Sequence, residues 1–103
     1  MAVWKEEVFG PVLPIVSFDS DDEAIAFAND SQYGLGGYIY TQNKERALSV
    51  SRHLQTGNIS INATSYVIPQ DPFGGYKKSG LGREHGKQGL RELCSLKLIA
   101  LKK

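Results

Sequence analysis

Apolar positions along this chain follow two rhythms, and their alternation sets the expected architecture. Residues 12–18, Val-Leu-Pro-Ile-Val-Ser-Phe, form a nearly unbroken apolar run that reads as a strand. Pro14 has no N–H to give a ladder, so this strand is expected at an edge or bent at that point. Ser20 and Glu23 stand in the S-x-x-E spacing of a capping box, in which each side chain satisfies a free N–H at a helix start. A helix is therefore predicted from about Asp21 to Asn29, with Ala24, Ile25, Phe27 and Ala28 on its apolar face. The turn residues Asn29, Asp30 and Ser31 end it.

Glycines at 34, 36 and 37 lead into a second strand, Tyr38-Ile39-Tyr40. Asn43 is the expected N-cap of a helix whose Ala47, Val50, Ser51 and Leu54 recur at i, i+3, i+4 and i+7, with Leu48 beside them. Gly57 fits a left-handed C-terminal cap for that helix. Asn58 to Asn62 is a third strand with Ile59 and Ile61 on one face. Residues 63–81 form a long loop punctuated by Pro69, Pro72, Gly74, Gly75 and Gly80, and a loop of this length in a compact unit is functional or contacts something else. Arg83 to Cys94 reads as a helix weakened by Gly86 and Gly89, and Leu96 to Leu101 as a last strand, apolar on both faces. That pattern suits burial on two sides or pairing with another chain. The predicted order is β-α-β-α-β-loop-α-β, an α/β fold with a mainly parallel sheet flanked by helices.

Composition narrows the function. The 103 residues suit one small unit, with hydrophobic content of 41% and charged content of 22%, ordinary for a globular chain. Twelve Lys and Arg face eleven Asp and Glu, a net charge of +1, which gives no support to a nucleic-acid partner. The basic stretch Lys77, Lys78, Arg83 and Lys87 is interrupted by Glu84 and reads as an exposed loop. Cys94 is the single cysteine, so no intrachain disulfide forms. No apolar run reaches membrane-spanning length and no leader pattern opens the chain, so a cytoplasmic protein without a membrane partner is expected.

Several chemical motifs fail on spacing. Gly80 and Gly82 begin a G-x-G-x-x-G pattern, but the third glycine falls at Gly86, one position late. A phosphate loop through Gly86-Lys87 would need glycine where Leu81 stands and Ser or Thr where Gln88 stands. Cys94 lies in an apolar context, with neither His53 nor His85 spaced to activate it, and reads as a packing residue. The two histidines and one cysteine have no metal-ligand spacing, so no metal is expected. The acidic cluster Asp19, Asp21, Asp22 and Glu23 complements a helix dipole. Taken alone, Glu7 and Phe9 could be a turn residue and a core residue, or a carboxylate that accepts from a ligand's hydroxyls beside a ring that packs on its apolar face.

Four segments together carry a resemblance. Glu6-Glu7-Val8-Phe9-Gly10-Pro11-Val12 resembles the E-E-x-F-G-P-V signature of the aldehyde dehydrogenase superfamily. Asn29 to Leu35 resembles its N-x-x-x-Y-G-L segment. Thr56 to Asn62 is similar to its strand ending in asparagine, and Pro72 to Glu84 to its P-F-G-G-x-K-x-S-G-x-G-R-E run. The resemblance covers nearly the whole chain. It implies the C-terminal part of a catalytic domain over residues 1–94 and an oligomerisation-type strand and tail over 95–103. In the family an aldehyde is oxidised to a carboxylic acid with NAD or NADP, by way of a nucleophilic cysteine and a glutamate base. The resemblance gives Glu7 and Phe9 to the nicotinamide end of that cofactor, and Asn62, Ser65, Val67 and Phe73 to the substrate channel. It places the cysteine, the base and the dinucleotide domain outside this sequence, so no catalytic residue is assigned and no tightly bound cofactor is expected. It further implies self-association through edge strands and residues 96–101. The alternative is a stand-alone self-associating or partner-binding module derived from such an enzyme.

Overall fold

The computed structural model describes residues 2–64 and 67–102. A short helix α1 (Ala2–Lys5), which the hydrophobic pattern does not foretell, is followed by α2 (Asp21–Asn29), β1 (Tyr33–Gly34), β2 (Gly36–Ile39), α3 (Lys44–Ser51), β3 (Asn58–Ile61), β4 (Tyr76–Lys77) and α4 (Gly86–Glu92). The α/β alternation stands. The strands form two pairs: β2 and β3 are parallel, from Gly36↔Asn58 to Ile39↔Ile61, and β1 and β4 are antiparallel, Tyr33↔Lys77 and Gly34↔Tyr76. The parallel pair with α3 as its crossover is the expected unit.

Helix starts follow the side-chain chemistry. Ser20 Oγ accepts from the Glu23 N–H at 3.2 Å, and the Glu23 carboxylate reaches back to the Asp19 N–H at 2.7 Å. Asn43 Oδ1 accepts from the Arg46 N–H at 3.0 Å. The two predicted apolar faces meet. Ala24, Ile25 and Ala28 of α2, Ala47 and Val50 of α3, with Leu54, line one groove of about 430 Å³ together with Tyr38 and Ile39 of β2. Ala47 alone among the described apolar residues is fully enclosed, at 0% exposure.

Ends and edges depart from the sequence-based expectation. Residues 12–18 form no ladder, and Ile15 is 87% exposed. Pro14 removes one donor, and among the described residues no strand lies alongside to take the others. Residues 96–101 likewise enter no sheet, with Leu98 91% and Ile99 78% exposed. Gly57 is not a left-handed cap: α3 ends at Ser51 with Arg52 in right-handed geometry, and Gly57 is absent from the positive-φ residues. The last helix begins three residues late. Glu84 is held in a bridge to Phe73, and His85, at φ 64°, turns the chain before Gly86. Cys94 is exposed, with Sγ 3.4 Å from the Leu90 carbonyl, because α4 buries none of its residues.

These departures share one physical sign. The accessible surface is 8917 Å² for 11.3 kDa, which exceeds by roughly 3,200 Å² what a folded monomer of this mass exposes. The Cα radius of gyration is 17.7 Å, against about 13 Å for a compact chain of this length. Among the described residues no helix is long and apolar enough to cross a membrane.

Polar side chains join the helices where the core is thin. Arg46 of α3 grips Asp21 of α2 through Nε, at 3.0 and 2.9 Å from the two carboxylate oxygens. Lys5 pairs with Asp30 beside the edge-on contact of Trp4 and Phe27, whose ring centroids are 6.0 Å apart. The hydrogen bonds from Arg46 and from Lys5 hold the Asp21 and Asp30 carboxyls below their ordinary value. A carboxyl depressed in the folded state contributes stability that is complete above its unfolded value and is lost as pH falls through its folded value. Helical circular dichroism is therefore expected to hold down to about pH 4 and fall below it. Arg46→Gln should lower the stability measured above about pH 4 and shrink its fall on acidification; a stability–pH curve identical to that of the parent chain would refute the role of the pair.

Candidate functional site

Two backbones meet at the start of the parallel sheet. A Cβ on Gly57 would lie 1.8 Å from the Gly74 carbonyl oxygen, so only glycine permits this approach. Asn58 is the tie. Its Nδ2 donates to Leu35 O at 2.9 Å and to Gly74 O at 3.0 Å, which joins the entry to β2 with the glycine loop. Phe73 and Glu84 exchange both backbone hydrogen bonds at 2.8 Å and close residues 73–84 into a loop. Inside it Arg83 donates from Nη1 to the carbonyls of Gly75 and Gly82, at 2.9 and 2.6 Å, with its guanidinium 5.3 Å from the centre of the Tyr76 ring. Arg83 and Lys77 are spent on backbone carbonyls, and Lys78 Nζ donates to Gln32 Oε1 at 2.7 Å. Lys77 Nζ donates to Asn29 O and Ser31 O at 2.8 and 2.9 Å, where the carbonyls at the end of α2 need donors.

The glycine loop and the sheet enclose the candidate site. A groove of about 690 Å³ runs along the sheet, lined by Gly36, Gly37, Asn58 and Ser60 on one side and by Val67 and Phe73 on the other. Val67 and Phe73, two of the residues assigned to a substrate channel, are therefore brought together. Ser65 lies outside the described residues. Asn62 stands at the far end of β3 and does not line the groove; its amide faces Thr41, with Oδ1 2.9 Å from the Thr41 nitrogen and Nδ2 2.9 Å from its oxygen. Glu7 and Phe9 follow α1 on the exposed segment 6–18, also outside the groove lining, with the Phe9 ring 95% exposed. Cys94 is not among the groove residues.

Spacing did not reveal Asn58 or Arg83 as organisers. An asparagine opening a β-branched strand runs against β-propensity, and that mismatch was the available signal for Asn58. Arg83 and Lys77 gave none, because their partners are carbonyls brought near only by the fold.

The whole arrangement has close counterparts. The aldehyde dehydrogenase family model matches residues 1–99. The chain belongs to the aldehyde dehydrogenase family. The peroxisomal aminoaldehyde dehydrogenase 2 of Malus domestica is 48% identical over 99 residues, which is 96% of this chain and 20% of that protein. The crystal structure of betaine aldehyde dehydrogenase from Staphylococcus aureus, in complex with NAD+, superposes with a TM-score of 0.84 at 46% identity, covering 89% of this chain and 18% of that one. The Mycobacterium tuberculosis aldehyde dehydrogenase complexed with NAD+ gives 0.83 at 44% identity, over 89% and 19%. The chain thus spans about a fifth of the length of the relatives it matches, in a C-terminal portion of them.

In aldehyde dehydrogenase terms, the P-F-G-G-x-K-x-S-G-x-G-R-E run is here a packing device that seats one loop on the sheet. Gly57→Ala should then cost about 2–3 kcal/mol, since neither backbone can yield without breaking the bonds around Asn58. Gly10→Ala, whose new Cβ would meet only Val8 Cγ1 at 3.7 Å, should stay within about 0.5 kcal/mol. Urea midpoints compare the two, and equal shifts would refute the packing role.

Proposed function

We propose that this chain is the C-terminal part of an NAD(P)-dependent aldehyde dehydrogenase, contributing a cofactor-side carboxylate and one wall of the substrate channel, and that it does not catalyse by itself. The observation that carries this reading is sequence identity of 44–48% with aldehyde dehydrogenases that extends over most of the chain yet spans only a fifth of theirs. Residues 1–94 are the catalytic-domain part and 95–103 the assembly strand. The lone cysteine suits a reducing compartment, the cytoplasm being the simplest.

Glu7 and Phe9 fit the nicotinamide end of NAD+ or NADP+. An ionised carboxylate offers acceptors to a pair of ribose hydroxyls, and an exposed ring two residues on can cover an apolar ring face. The dinucleotide, when bound, accepts the hydride of the oxidation. Glu7 orients the sugar, and Phe9 shields one side from water. Val67 and Phe73 supply an apolar wall on which an aldehyde's carbon chain packs. The family resemblance gives Ser65 to the same wall, while Asn62, which does not line the groove, holds the end of the strand before it. Cys94, two residues past the end of α4 with its thiol on the Leu90 carbonyl, takes no part.

A second reading is favoured by the surplus surface. An excess of roughly 3,200 Å² is as large as many obligate interfaces. Unpaired apolar edges recruit other chains. The chain accordingly self-associates through residues 96–101 and its sheet edges, as a module in its own right.

The two readings are tested on one preparation. Incubation with NAD+ and an aldehyde should yield no NADH, and production abolished by Glu7→Ala would overturn the first reading. Light scattering should give a dimer or larger assembly that Leu98→Asp weakens. A monomer at every concentration would overturn the second.

A further inference from the structure

We propose that Asn62 is a positioning residue, whose side-chain amide closes the parallel sheet on Thr41 and so fixes the point from which the loop bearing Val67 and Phe73 departs. This rests on the reading of Val67 and Phe73 as a channel wall, and gives Asn62 a different task from lining it.

The β2–β3 ladder ends at Ile39↔Ile61, and the Asn62 N–H adds one more rung to Ile39 O at 2.8 Å. There the backbone turns away, because Asn62 has φ 54°. Asparagine is among the few residues that adopt this left-handed geometry readily. The main chain beyond it can no longer serve Thr41, and the side chain takes its place. Thr41 N–H donates to Oδ1 at 2.9 Å, and Nδ2 donates to Thr41 O at 2.9 Å. A carboxamide presents the same C=O and N–H pair as a peptide, so it completes the sheet as a peptide would. Aspartate lacks the donor, and glycine lacks both groups. The Tyr40 hydroxyl donates to Ala63 O at 3.1 Å and holds the first residue outside.

The other end of the loop is equally fixed. Phe73 is paired on both sides with Glu84, Asn58 holds Gly74 O, and Gly86 N donates to Pro69 O at 3.0 Å. A Cβ on Gly86 would lie 2.4 Å from Gln70 O, so the loop also rests directly on the start of α4. Pro69 and Phe73 are held at the far end, and Asn62 holds the point from which the chain departs.

The test uses the 103-residue chain in solution by nuclear magnetic resonance. In the parent chain a scalar coupling across the hydrogen bond is expected between the Thr41 amide nitrogen and Asn62 Cγ. Asn62→Gly, which keeps access to positive φ, should speed Thr41 amide exchange about fivefold or more and shift the amide resonances of Val67 and Phe73. Asn62→Asp, which retains the acceptor alone, should give intermediate values at both places. No coupling in the parent chain overturns the clasp. Shifts at Thr41 without any at Val67 and Phe73 overturn the positioning role. Should Asn62→Gly unfold, the parent coupling and Asn62→Asp decide both points. Resonances of Val67 and Phe73 that ignore added aldehyde count against the channel wall and leave the clasp standing.

Discussion

The near-contact of the Gly57 and Gly74 backbones is the constraint on which the rest of this structure depends. It brings the glycine loop to the start of the parallel sheet, and Asn58 can reach Gly74 O only because that approach is possible. From there Phe73 is placed against Glu84, Arg83 is turned onto Gly75 and Gly82, and Lys77 is delivered to the end of α2. Each of these bonds is modest, worth about 1 kcal/mol net. They cooperate because all need the loop in one position. With one enclosed apolar residue among those described, Ala47, order here rests on backbone carbonyls given donors more than on a dry interior.

Local chemistry was legible in the sequence where the interaction was local. The caps at Ser20 and Asn43 and the meeting faces of α2 and α3 need only neighbours a few residues away, so spacing located them. The segments 12–18 and 96–101 read as strands from their apolar pattern, but a strand is defined by its partner, and among the described residues no partner strand lies beside them. Gly57 shows the converse. A glycine after a helix suggests a left-handed cap, whereas its actual use depends on Gly74, seventeen residues away, which no helix rule considers.

The candidate site was legible through its resemblance more than through its chemistry. Val67 and Phe73 do share a groove, and no spacing rule joins a loop residue to one six positions on across two prolines. The resemblance gives Asn62 to the channel as the residue that ends its strand. The fold occupies both arms of its amide, and that pair of bonds together with the positive φ explains why an asparagine stands there. Asn58 and Arg83, which organise the site, have partners distant in sequence and were invisible for that reason.

The two strand pairs close chain segments of very different length: Gly36 pairs with Asn58, and Tyr33 with Lys77. The second separation is twice the first, yet a doubling of loop length raises the entropic cost of closure by only about 0.6 kcal/mol. That is less than one of the hydrogen bonds around Asn58. Residues could therefore be inserted between Asn62 and Pro69 with little effect on folding, provided the anchors at Asn62, Pro69 and Phe73 remain. The frame is strict at its anchors and permissive ahead of Pro69, so evolution can reshape the groove by altering loop length without rebuilding the sheet beneath it.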